Sequence, residues 1–284
     1  VRHMLGKHSW LMRSFSEIPE DFEAVPNLTA DTNALILHLC AEKNAIKVAN
    51  ADKIKIMRSL RNLDRICPFE MQTVGVVYMR SGQSKEAEIL ANSFGSAKYS
   101  AFISLLGEPQ SLQNSPGGLI PVQNGAFTYV YVDAVSKIVF HIATLMPQKE
   151  GDTACNEKKK FIGNDYVTIV FNESGSPYKL GTIAGKFAYA AIEVVPQDEM
   201  NVLIKLNVRR EVSSWLALNR IFLPLKQAAS VVRKLALRSQ LAVNIWRREE
   251  VEKGTPYLGF SVERLRYIRN FAQSHAKQAT VSAH

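Results

Sequence analysis

Along this chain, stretches with helical spacing alternate with short runs rich in β-branched residues. That alternation restricts the fold to strands packed against helices. Strand signals fall at Thr73–Met79, Phe127–Val132, Lys137–Thr144, Tyr166–Phe171, Ala188–Val195 and Val202–Val208. Helical spacing marks Thr32–Asn44, Asp52–Leu63, Ser84–Ser93 and Ser96–Leu106. Pro68 breaks the N-terminal helical pattern and places a boundary near Cys67–Gln72. Gly107–Gly125, dense in Gly, Pro and Asn, reads as loop. In the last third Leu225, Ala228, Val232, Leu235, Ser239, Ala242 and Trp246 share one stripe. Val262, Leu265 and Ile268 mark a final helix carrying Arg264, Arg266 and Arg269. The expectation is an α/β sandwich with helical additions at both ends.

Several chemistries are excluded by spacing. Gly181-Thr-Ile-Ala-Gly185-Lys186 approaches a phosphate-binding P-loop but has three residues between its glycines instead of four. Phe187 then stands where a magnesium-binding Ser or Thr is required. Neither a GxSxG elbow nor an HExxH pair occurs. Cys40, Cys67 and Cys155 form no CxxC pair, so zinc-ribbon and thioredoxin-type sites are not expected and a reducing compartment fits. His38 and His141 are the embedded histidines, each read as a packed or hydrogen-bonded side chain. No run of about 18 apolar residues is available to cross a bilayer, and Val1–Arg13 lacks the apolar core of a signal peptide. A net charge of +9 admits nucleic acid as a partner, but Lys and Arg are spread over many segments, and Tyr and Phe lie mostly in strand cores.

One segment stands apart. Lys158-Lys-Lys-Phe-Ile-Gly-Asn-Asp-Tyr-Val167 places three cations, a glycine and an Asn-Asp pair at the mouth of a strand. It can be a solvated helix end with a glycine cap and an asparagine turn. Composition alone favours that reading over the other one, a surface that approaches phosphate and orients a water.

Lys160-Phe-Ile-Gly-Asn-Asp-Tyr-Val167, with Ile169-Val-Phe-Asn172 and Tyr178-Lys-Leu-Gly-Thr-Ile183, resembles the Rap/Ran-GAP domain family, in its tuberin-type branch. Val74-Gly-Val-Val-Tyr78, Gly82-Gln83, Gly117-Gly118-Leu119, Phe140-His-Ile-Ala-Thr-Leu-Met-Pro147 and Leu265-Arg-Tyr-Ile268 extend the likeness over about Val74–Arg269. The resemblance implies a central mixed sheet flanked by helices. Residues 1–70 would be a helical flank or dimerisation-type subdomain, and residues 71–275 the catalytic domain.

The resemblance also implies a protein that completes the active site of another: a GTPase activator acting in trans on a Rheb-like small GTPase, with no self-contained site and no cofactor of its own. GTP and Mg²⁺ would belong to the partner. The family uses an asparagine "thumb" to position the attacking water, and the thumb maps to Asn164. Lys158, Lys159 and Lys160 match the basic run expected to attract the GTPase. Gly163 would let the backbone turn sharply, and Asp165 would brace it. His141 matches a family histidine, and Phe161 stands where the family usually has His. The alternatives are a Rap-type partner, a nucleic-acid-binding module and an inactive scaffold. A hamartin-type partner would lie outside this chain, and a homodimer is compatible with the flank. The setting would be cytoplasmic, at membranes that hold the lipidated GTPase, without an anchor of the chain's own.

Overall fold

The structure is a computed structural model that describes residues 58–63, 70–113, 121–216, 220–252 and 257–281. The expected helix Thr32–Asn44, most of Asp52–Leu63, His38, Cys40, Cys67 and Gly117-Gly118-Leu119 lie outside them. Two compact units divide the chain, Glu70–Leu258 and Val1–Phe69 with Gly259–His284. The final helix therefore groups with the N-terminal segment, whereas the sequence reading carried the catalytic domain through residue 275.

In the larger unit eight strands form one sheet. They are β1 (Glu70–Met79), β2 (Glu108–Ser111), β3 (Phe127–Val132), β4 (Ser136–Ile142), β5 (Val167–Asn172), β6 (Ala190–Pro196), β7 (Asn201–Val208) and β8 (Arg220–Pro224). Their spatial order is β2-β3-β4-β1-β5-β6-β7-β8. The middle four, β4-β1-β5-β6, run parallel. Antiparallel pairs close both sides. Parallel strands require long crossovers, and these supply helices to both faces.

Those helices are α1 (Glu86–Leu90), α2 (Ala97–Ser104), α3 (Pro121–Asn124), α4 (Asn156–Ile162) and α5 (Leu225–Trp246). A sixth, α6 (Phe260–Val281), belongs to the other unit. Within that unit Arg264 donates to the Leu63 carbonyl at 2.7 Å. No helix among the described residues is long and apolar enough to cross a membrane.

Strand β1 demonstrates why both faces must be covered. Val74, Val76 and Tyr78 join one core with Phe102, Phe140, Phe171 and the buried stripe Ala228, Val232 and Leu235 of α5. Val77 and Met79 join the opposite core with Ile89, Leu90 and Ile162. Alternate residues of a strand point to opposite faces, so a run apolar at every position stabilises only a sheet buried on both sides. Each fully buried aliphatic or aromatic side chain contributes about 1.5–3 kcal/mol.

Two strands were absent from the sequence reading. β2 falls inside the expected Gly107–Gly125 loop, and β8 in the stretch before Leu225 to which no element was assigned. Both are edge strands that bond to a single neighbour. An edge tolerates Pro109 and the polar sequence Glu-Pro-Gln-Ser, which would signal loop anywhere else.

Candidate functional site

Helix α4 crosses from β4 to β5. Its first turn is held by Asp152, whose carboxylate accepts the backbone N–H groups of Asn156 and Glu157 at 2.9 Å each. These bonds hold the Asp152 carboxyl below its ordinary range, the Glu157 amide being the larger cause. Cys155, at the N-cap, has φ +55°. Glu157 near the start and Lys159 and Lys160 near the end both suit the helix dipole.

The three lysines do not act as one patch. Cys155, Lys158 and Ile162 follow the three-then-four spacing of a helix face, and each is 1% exposed. Lys158 is thereby drawn beneath the helix, where its ammonium donates to the carbonyls of Leu90 at 3.0 Å and Asn92 at 3.4 Å. Burial lowers its pKa. This corrects the expectation of a three-lysine docking surface, because a side chain so enclosed cannot meet another protein. Lys159 and Lys160 face outward, but each has a carboxylate partner. Lys159 pairs with Glu86 at 2.9 Å, and Lys160 pairs with Glu157 one turn back.

Asn164 follows the helix and is exposed. Its Nδ2 donates to the Lys160 carbonyl at 2.6 Å. Because that neighbour is an acceptor, the amide nitrogen must be the atom turned towards the helix. Oδ1 consequently faces away from the carbonyl and has no hydrogen-bond partner among the described residues.

Gly163 does not make the sharp turn expected of it. Its φ of −73° and ψ of −13° are ordinary right-handed values, open to any residue. Glycine is required there for space. A Cβ would meet the Lys159 carbonyl oxygen at 2.9 Å and the Ala184 carbonyl oxygen at 3.1 Å.

Asp165 is 2% exposed and braces side chains rather than backbone. Thr73 on β1 donates to its Oδ1 at 2.6 Å, and His141 Nδ1 on β4 lies 2.8 Å from its Oδ2. His141 is itself buried, and Phe161 stands edge-on to its ring with centroids 5.5 Å apart. The Lys160 ammonium lies over the Phe161 ring, 5.3 Å from its centroid. The aromatic ring at position 161 thus packs in a stack of this chain's own residues. Gly75 lets the helix end come this close to the sheet, since a Cβ would meet Ile162 at 3.2 Å and Asp165 at 3.4 Å.

The loop after β5 completes the site; in the sequence Tyr178–Ile183 carried part of the family resemblance and Gly181–Lys186 was weighed as a failed P-loop, but no site residue was placed there. Its Ala184 N–H donates to Glu86 Oε1 at 2.7 Å, while Glu86 Oε2 holds Lys159. Gly185 packs directly on Gly163. Phe187 lies 5.8 Å from Tyr166, and the Arg247 guanidinium covers both rings at 5.5 Å.

Two open depressions result. One, of about 210 Å³, is lined by Thr73, Asn164, Tyr166, Phe187 and Gln240. The other, of about 320 Å³, has Lys159, Lys160, Asn164, Lys186 and Phe187 in its wall. Asn164 borders both.

Asn164 precedes β5, at the amino end of the parallel strands. Open α/β sheets hold small ligands in crevices beyond the carboxyl ends. The described residues also contain no group of three His, Cys, Asp or Glu side chains able to hold a metal. Fold and site together define an α/β domain with an exposed carboxamide at the end of a helix packed on the sheet.

The Rap/ran-GAP family pattern matches residues 89–282, and the chain belongs to that family. The tuberous sclerosis 2 protein homolog of Schizosaccharomyces pombe is 39% identical over 158 residues, which is 53% of this chain and 12% of that protein. The human Ral GTPase-activating protein subunit alpha-1 is 29% identical over 231 residues, 80% of this chain and 11% of that protein. The chain therefore spans only about a tenth of the length of these curated relatives. Among solved structures, the TSC2 GAP domain superposes with a TM-score of 0.58 at 33% identity. That match covers 63% of this chain and 99% of the other. The mixed sheet with flanking helices is the fold of that domain.

Proposed function

We propose that this chain is a GTPase-activating domain for a Rheb-like small GTPase and that Asn164 is the group it inserts into the partner's active site. The observation that carries this reading is the exposed Asn164 carboxamide, its nitrogen held by Lys160 and its oxygen unpaired. A small GTPase hydrolyses GTP slowly while the attacking water is poorly oriented. An amide oxygen fixed by its own nitrogen accepts a hydrogen from that water without changing protonation state. It acts by orientation, which can lower a barrier by several kcal/mol. GTP and Mg²⁺ belong to the GTPase, and this chain supplies no cofactor.

The Ral GTPase-activating relatives, matched over 80% of the chain, support a second partner class of the Ral type, and the family name supports a Rap type. A hamartin-type companion is part of the same proposal. So is action at membranes, where a lipidated GTPase would reside.

Single-turnover GTP hydrolysis by Rheb, Rap and Ral, each with and without this protein, tests the reading. Stimulation of Rheb that disappears with Asn164→Ala is the expected result. Acceleration of none of the three refutes it.

A further inference from the structure

We infer that Lys186, presented beside the thumb by the Gly181–Phe187 loop, is the cation that docks onto the acidic, phosphate-bearing face of the GTPase. The inference rests on the activating role just proposed and adds to it the residue that carries the charge.

A carboxamide is neutral, so electrostatic attraction must come from elsewhere. The catalytic helix is a poor source. Lys158 is buried under it, Lys159 is neutralised by Glu86, and Lys160 is neutralised by Glu157. Lys186 lines the same 320 Å³ depression as Asn164, Lys159 and Lys160. It is exposed and has no ion pair or hydrogen bond with any described residue. Of the lysines that line this depression it is the one with no compensating charge among the described residues.

Its backbone is also fixed more firmly than an ordinary surface loop. Ala184 donates to Glu86 on one side. Gly185 is pressed against Gly163 in the middle. Phe187 is held by Tyr166 and Arg247 on the other. Fixing each residue of a loop costs conformational entropy. Here the backbone that carries Lys186 is already fixed, so the side chain is tethered beside the thumb before docking. Opposite charge at an interface raises the association rate and fixes register, whereas reversing it sets like charges together.

The test titrates wild-type protein, Lys186→Glu, Lys186→Arg and Asn164→Ala against GTP-loaded Rheb, Rap and Ral in single-turnover hydrolysis at low and high salt, with thermal melts of every variant. Lys186→Glu should raise the half-saturating concentration about tenfold at low salt, leave the maximal rate within about twofold, and flatten the salt dependence. Lys186→Arg should retain wild-type affinity. Half-saturation within about twofold of wild type for Lys186→Glu, alongside an active wild type, overturns this inference and leaves the activating reading intact. A wild-type protein that neither binds nor stimulates any of the three removes both.

Discussion

Gly163 and Gly185 are in backbone contact: a Cβ added to Gly185 would run into the Gly163 carbonyl oxygen, with the Gly163 Cα and C at 2.8 and 2.9 Å. The contact joins the end of α4 to the loop that carries Lys186 and Phe187. Two glycines widely separated in sequence, neither bound to a ligand, bring the parts of one surface together.

Gly185→Ala should therefore act on the site more than on the fold. Overpacking of this kind typically costs about 1–3 kcal/mol. The loop, which faces solvent, is the side that can yield. The expected outcome is a modest fall in melting temperature with a several-fold loss of GTPase stimulation. A variant with wild-type stimulation would show that loop and helix need not stay in contact.

Asn164→Ala should separate chemistry from stability. The side chain is exposed and makes one hydrogen bond, to Lys160. Removing an orienting group from a reacting centre typically costs about 10²–10³ in rate, while an exposed substitution changes stability by about 0.5 kcal/mol or less. Hydrolysis rates and denaturant midpoints measured on the same preparation check both halves.

Asp165→Ala should do the reverse. It leaves Thr73 and His141 without their shared carboxylate in a buried setting. The expected destabilisation is about 2–4 kcal/mol, read as a lower urea midpoint. A midpoint equal to wild type would mean that the network does not hold the end of α4.

Lys158→Met should lower stability without altering GTPase affinity. The ammonium satisfies the carbonyls of Leu90 and Asn92, and methionine leaves both unpaired at about 1–3 kcal/mol each in the unrelaxed limit. Half-saturation unchanged from wild type at low salt is the expected reading, and a marked loss of affinity would return Lys158 to the docking surface.

Acid should loosen the start of α4. The Asp152 pKa is depressed in the folded state by the Glu157 and Asn156 amides. Its contribution is therefore complete above the unfolded value of about 3.9 and is lost as pH falls through the folded value. Amide hydrogen exchange at Asn156 and Glu157 should lose protection below about pH 4 in wild type. Asp152→Asn should show weaker protection at neutral pH and little further change with acid.

The sequence by itself determined the fold class and the placing of Asn164 at the mouth of a strand. Strands such as β1 and β5, apolar at successive positions, are stable only between two helical layers, and Asn164 sits in a motif whose residues are contiguous. The division of the lysine run was missed, although the helical spacing of Cys155, Lys158 and Ile162 carries its signal. Edge strands β2 and β8 were not legible, because one-sided pairing leaves no pattern of buried residues to read.

Only the tertiary structure decided what surrounds Asn164. Thr73, His141 and Asp165 come from two strands and a helix end, and Glu86, Gly185 and Lys186 from two further segments. Nothing local to any of these segments encodes the others. Sheet order sets their proximity, which depends on how strands pair across the chain rather than on the periodicity within any one of them.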